Sequence, residues 1–285
     1  MEPWSAAEDR PAYLGGAPSP KSRAVLALVV ALVIIAAAAF YGLRLREGTP
    51  APEASPAPAA AEKAAPATPA PSADAAPQYE MKPRAAEPLP TLEGSDPMMG
   101  KSISGLVGNK AFERFVIPDM LVRHIVATVD NLPRPTGSTR TVPLRRVAGT
   151  LAVSDAGGGL GIDASNARRY TPYVRIFAAI DAQALAERYA ATYPLFQRAY
   201  EELGYPGKHF NDRLVGAIDD MLAAPELDAP AKVVQSPVIY KFADPDLEGR
   251  SAGQKIMMRM GKENALVVKA KLRQIRRDIV ALTKQ

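Results

Sequence analysis

With 285 residues and no cysteine, the chain has room for one ordinary globular domain plus accessory segments. The lack of thiols excludes disulfides, thiolate catalysis, iron–sulfur clusters and cysteine-held zinc. The basic excess is local: residues 262–285 carry seven Lys or Arg against two Asp or Glu. A nucleic-acid binder spreads its basic footprint over a broader face, so nucleic acid is not an expected partner.

Residues 1–23 contain Gly15, Gly16, Pro18 and Pro20 and no apolar period, which reads as a short cytoplasmic tail. Ala24 to Leu43 follows, twenty residues without a charge, Pro, Asn or Gln. As a helix it would reach roughly 30 Å, the thickness of a bilayer's hydrocarbon core. Its Val, Leu, Ile and Phe residues supply on the order of −3 to −7 kcal/mol toward insertion. A cleaved signal peptide fits less well, because Glu2, Glu8 and Asp9 precede the run and the run exceeds a signal core. Lys21 and Arg23 before it and Arg44 and Arg46 after it leave only a slight bias toward a cytoplasmic N-terminus.

Residues 44–90 read as a disordered linker. Between 48 and 90 lie 11 Pro and 15 Ala, too little apolar surface to offset the entropy of ordering. Proline biases such a stretch toward polyproline II, a semi-stiff spacer. Residues 91–285 are the expected domain.

Within that domain, Ser95 or Asp96 with Pro97 marks a helix start, and Asn109 can cap a second. Leu121, Ile125, Val129 and Leu132 lie on one face of a helix that Pro133 ends. Segments 149–155 and 159–163, around Gly157-Gly158, predict a short hairpin. Tyr170-Thr171-Pro172-Tyr173 opens a short helix. Asp181 caps a longer one with the stripe Leu185, Tyr189, Tyr193, Phe196, Tyr200 and Leu203, bent at Pro194. Phe210 to Leu222 is another helix. Lys232 to Phe242, broken at Pro237, reads as an edge strand or extended segment. Asp244-Pro245 starts a helix that runs to Arg259. The last helix carries Val268, Leu272, Ile275, Ile279 and Leu282, with Lys269, Arg273, Arg276, Arg277 and Lys284 on an adjacent side. The expected class is mainly α: a single-pass transmembrane helix, a linker, then a mostly helical domain with one small β-hairpin.

Motifs that would carry chemistry lack their context. Gly94 to Ser102 (GSDPMMGKS) is one residue too long for a phosphate loop and follows no strand. Gly159-x-Gly161-x-x-Ala164 precedes no βαβ unit. His124 and His209 lack evident metal partners. Asp244, Asp246 and Glu248 alternate as in a calcium loop, but capping explains the first two. No cofactor or metal is expected.

Seven motifs together resemble one bacterial family: Phe112–Val116 (FERFV), Val129–Arg134 (VDNLPR), Arg168–Val174 (RRYTPYV), Tyr193–Pro206 (YPLFQRAYEELGYP), Phe210–Leu214 (FNDRL), Tyr240–Glu248 (YKFADPDLE) and Ser251–Ala265 (SAGQKIMMRMGKENA). The family is the domain of unknown function 3014 (DUF3014), and the resemblance covers about residues 90–285. It implies a membrane-anchored envelope protein of Gram-negative bacteria and carries no activity. Gln254, Lys255, Arg259 and Asn264 from the last motif are candidates for an interaction surface, with Lys269, Arg273, Arg276 and Arg277 on the basic side of the last helix. The resulting expectation is a non-enzymatic binding or scaffold module of the envelope. It would be anchored in the inner membrane, with the domain in the periplasm and an envelope protein or wall component as partner. The alternative is a hydrolase of an envelope polymer using acids among Asp219, Asp220, Asp244, Asp246 and Glu248. Oligomeric state is left open.

Overall fold

A computed structural model describes residues 76–84, 88–138, 140–147, 149–155, 158–236 and 239–284. The tail, the apolar run Ala24 to Leu43 and most of the linker lie outside the described residues. Among the described residues no helix is long and apolar enough to cross a membrane.

The helices are α1 (Asp96–Val107), α2 (Asn109–Phe115), α3 (Leu121–Asn131), α4 (Ser165–Ala179), α5 (Ala182–Glu202), α6 (Phe210–Leu222), α7 (Pro245–Glu248), α8 (Ala252–Arg259) and α9 (Lys262–Thr283). Helix α9 runs along α5, α4 and α6, and α3 packs on α5 and α6. The stripe on α3 points inward: Leu121, Ile125, Val129 and Leu132 are buried, as are Val268, Leu272, Ile275 and Ile279 of α9. The aromatic stripe of α5 is buried from Leu185 to Tyr200, but Leu203 stands exposed beside Gly204, whose φ of 110° turns the chain. Leu203 is thus a surface residue, one step past the stripe.

The start of α3 is built from a distance. Met120, which precedes it, sits in the left-handed region at φ 44°, a strained place for a side chain of its size. The Asp96 carboxylate in α1 accepts from the backbone N–H groups of Met120 and Leu121, both at 2.8 Å. It satisfies two otherwise orphaned donors and places negative charge at a helix N-terminus. Ser95 caps nothing with its side chain; its hydroxyl donates to the Leu92 carbonyl at 2.7 Å.

Three expectations are corrected. The sheet is larger than one hairpin: β1 (Val153–Asp155), β2 (Leu160–Ile162), β3 (Lys232–Gln235) and β4 (Tyr240–Phe242) form an antiparallel sheet in that order. Val153 faces Ile162, Leu160 faces Val233, and Val233 faces Phe242. Strands β3 and β4 are therefore a second hairpin joined to the first, closing a small core of Leu151, Ile162, Val233, Phe242 and Met258, while the expected break at Pro237 lies outside the described residues. Helix α4 begins at Ser165, before the expected Tyr170, and holds Pro172 in its interior. Burial of Tyr170, Tyr173, Val174 and Phe177 outweighs the roughly 3 kcal/mol that an internal proline costs. The helix expected from Pro245 to Arg259 is two, α7 and α8. Ser251 starts the second by accepting from the Gln254 N–H at 3.1 Å.

A strap precedes the region expected to be folded. The Asp212 carboxylate accepts from the N–H groups of Gln78 (3.0 Å) and Tyr79 (2.7 Å), and the Asn211 amide donates to the Tyr79 carbonyl at 2.9 Å. Met81 is buried in the main core. The packed body therefore includes residues 78–81, inside the stretch read as linker.

Candidate functional site

The motifs that are separate in sequence meet at Asp130. This residue ends the last turn of α3, where a negative charge opposes the helix dipole. It is only 4% exposed. A buried carboxylate there needs cations and hydrogen bonds, and three segments bring them. Arg134, just past α3, donates to Oδ2 at 2.5 Å and to the Asp130 carbonyl at 3.3 Å. Arg213 of α6 donates to Oδ1 at 3.0 Å and also to the Asp130 carbonyl. Tyr205, beyond the Gly204 turn, donates to Oδ2 at 3.2 Å, and its oxygen lies 2.5 Å from Arg134. Its ring stacks on Tyr200 at 4.6 Å. Burial, with the Asp130 charge adding to it, pushes the Tyr200 phenol up to about 12. The helix end thus carries its acid because two guanidiniums neutralise both the carboxylate and the terminal carbonyl.

A second polar contact fastens α8 beside the first. The N–H groups of Ala252 and Gly253 donate to the carbonyls of Arg134 (2.7 Å) and Leu132 (2.8 Å). A Cβ on Gly253 would lie 3.0 Å from Met221 Cγ and 3.3 Å from the Leu132 carbonyl oxygen, so glycine permits this approach. Asp220 of α6 accepts from the Ser251 hydroxyl at 2.5 Å and from the Gln254 amide at 2.9 Å. Burial raises the Asp220 carboxyl above its usual range against the pull of those two donors.

The remaining candidates from the sequence divide into two groups. Gln254, Lys255, Arg259, Asn264 and Lys269 are all buried. Lys255 reaches the Glu248 carbonyl at 2.9 Å and its carboxylate at 3.3 Å. Arg259 lies over the Phe242 ring at 5.0 Å, and burial lowers the pKa of its guanidinium. The Asn264 amide donates to the carbonyls of Ala167 and Met260. Lys269 donates to the Ala224 carbonyl at 2.7 Å and to Glu226 at 2.8 Å. Arg276 makes a two-pronged pair with Asp219, at 2.5 and 2.9 Å. Arg273 and Arg277 are exposed. The eight candidates therefore do not share one surface.

Four of the five acids considered for hydrolysis are held by neighbours, while Asp246 stands exposed in the first turn of α7. Asp244 accepts from the Asp246 N–H, Glu248 from the Phe242 N–H and Lys255, Asp219 from Arg276, and Asp220 from Ser251 and Gln254. The stretch resembling a phosphate loop runs into α1, where Met99 is core. Among the described residues no group of three or more His, Asp or Glu could hold a metal ion. What α9 leaves open is a groove of about 780 Å³ along the start of α5. Its walls carry both signs: Asp181, Glu187 and Asp278 against Arg84, Lys271 and Arg277.

Asp130, Arg134, Tyr205 and Arg213 were not singled out from sequence as site residues. The available signal was an acid at the end of an otherwise apolar helix face, between Val129 and Leu132. Comparison with known proteins adds one finding: a family model described as a protein of unknown function, DUF3014, matches residues 121–276. No curated protein and no solved structure matches the chain.

Proposed function

Because the chain belongs to the DUF3014 family of proteins of unknown function, we propose its role from its architecture: a membrane-anchored binding module of the bacterial envelope. In this reading Ala24 to Leu43 spans the inner membrane with residues 1–23 in the cytoplasm. The Pro/Ala stretch carries the helical domain into the periplasm, and the groove between α5 and α9 takes a segment of an envelope protein. One observation carries the binding reading. The polar residues of the family's motifs are spent on one another, at Asp130 and at Asp220, and hold helices together. Four of the five acids that a hydrolase would draw on are likewise engaged. The groove is a large polar concavity among the described residues, and walls of both signs suit a polypeptide carrying both signs.

Cross-linking in intact cells tests this. A photo-crosslinking amino acid at Gln274, a groove wall, should give a discrete adduct that Arg277→Glu abolishes. The same probe at Lys241, on the outer face of the sheet, should give none. Equal adducts from both positions, or an adduct indifferent to Arg277→Glu, would contradict the assignment.

A further inference from the structure

Helix α9 buries one side and leaves the other to solvent. Val268, Leu272, Ile275 and Ile279 are in the core. At about 3.6 residues per turn, Glu263, Leu266, Ala270 and Arg273 lie on the opposite side, and all four are exposed. They follow one another at spacings of three, four and three residues, the period of a coiled-coil seam. Leu266 is 40% exposed, and Val267, at the edge of the same side, is 44% exposed. A single exposed Leu or Val needs no explanation, but two neighbours on the outer side of a 22-residue helix make an apolar patch.

The charges that bound this stripe are opposite. Glu263 stands at its N-terminal end and Arg273 at the other. Ten residues separate them, about 15 Å along the helix, too far for one to neutralise the other within one copy. Neither makes a hydrogen bond or ion pair with a described residue. Glu226, which the Arg273 charge reaches, is already bound by Lys269. The stripe therefore reads acid, large apolar, small, base. Reversed, it is its own complement: acid meets base and large meets small. That is the property of an isologous two-fold interface, and the acid within the stripe does not suit an anionic lipid surface.

We propose that this face of α9 is a self-association surface, taking α9 of a second copy antiparallel and crossing at the level of Val268. Leu266 of one copy packs on Ala270 of the other, and Glu263 pairs with Arg273, each contact being made twice. Val267 of both copies flanks the crossing. Arg277, Asp278 and Ala281, which line the groove along α5, lie past the overlap, so pairing leaves that groove open.

Disulfide trapping of the full-length chain in cells tests this, and a chain without native cysteine contributes no other thiol. Two differently tagged copies are co-expressed, one with Leu266→Cys and one with Ala270→Cys, and oxidised with diamide. The mixed disulfide should exceed both same-site disulfides several-fold, because the antiparallel register brings 266 to 270. Lys241→Cys, exposed on the sheet, sets the level of chance collision. In the cysteine pair, Glu263→Arg or Arg273→Glu alone should lower the mixed product several-fold, and both together in each copy should restore it. Misfolding cannot mimic that rescue, since the two positions do not meet within one copy. A mixed product no higher than the Lys241→Cys level, the result if this face meets lipid or another protein, would overturn the proposal. So would an excess of same-site disulfides, the sign of a parallel pair, or a doubly swapped chain that stays as low as the single variants.

Discussion

Asp130→Ala is expected to lower the unfolding free energy by about 2–4 kcal/mol, below the upper end for a broken buried pair because both arginines reach toward solvent. The side chain of Asp130 is 6% exposed, against 45% for Arg134 and 28% for Arg213. Truncation leaves two guanidiniums facing each other across the end of α3 with only the Asp130 carbonyl and the Tyr205 oxygen to receive them. The loss is therefore mostly the cost of orphaned charge. That has a specific consequence: Arg213→Met added to Asp130→Ala should restore part of the loss rather than add to it. Urea unfolding followed by far-UV circular dichroism is the measurement, since the only tryptophan, Trp4, lies outside the domain. A loss under about 1 kcal/mol, or strictly additive losses in the double variant, would remove Asp130 from the centre of the fold.

Phe210→Ala should cost about 3–5 kcal/mol, the range for emptying a large aromatic from a packed core. Phe210 is fully buried. Its ring stacks on Phe196 at 5.8 Å and meets Tyr200 at 5.6 Å and Tyr189 at 6.4 Å. These contacts tie the first residue of α6 to three residues that span about three turns of α5. They also set the register that points Asn211 and Asp212 at the strap and Arg213 at Asp130. Phe210→Ala should thus also speed amide hydrogen exchange at Gln78 and Tyr79, whose N–H groups are held by Asp212. A small stability loss with unchanged exchange there would show that α6 is positioned by other contacts.

Local patterns were the readable part of the fold. The 3.6-residue period of α3 and the Phe210 to Leu222 helix follow from apolar spacing between punctuating residues, and both match the structure. Asp181 and Asp244 cap helices as their positions predict, accepting from the N–H groups of Ala184 and Asp246. What escaped is nonlocal. Arg213 and Asp130 are 83 residues apart, and no periodicity links them. The pairing of β2 with β3 joins two hairpins separated by α4, α5 and α6. Lys269 read as part of a basic interaction side of the last helix because its acceptors, Ala224 and Glu226, come from the turn after α6. Arg276 is spent on Asp219 in the same way. Part of the charge run on α9 is thus internal bonding, while Arg273, Arg277 and Lys284 stay exposed. Pro172 and the split between α7 and α8 show tertiary burial and side-chain capping overriding the simplest local reading.

Topology is the most direct test of the proposed architecture, and a chain without cysteine makes it clean. Single cysteines in place of Ser5, Ala60 and Gln285 can be labelled with a membrane-impermeant thiol reagent after the outer membrane alone is permeabilised. A periplasmic binding module requires labelling at positions 60 and 285 with the inner membrane intact, and at position 5 only after it is lysed. Labelling at position 285 only after lysis would place the domain in the cytoplasm and contradict the envelope role.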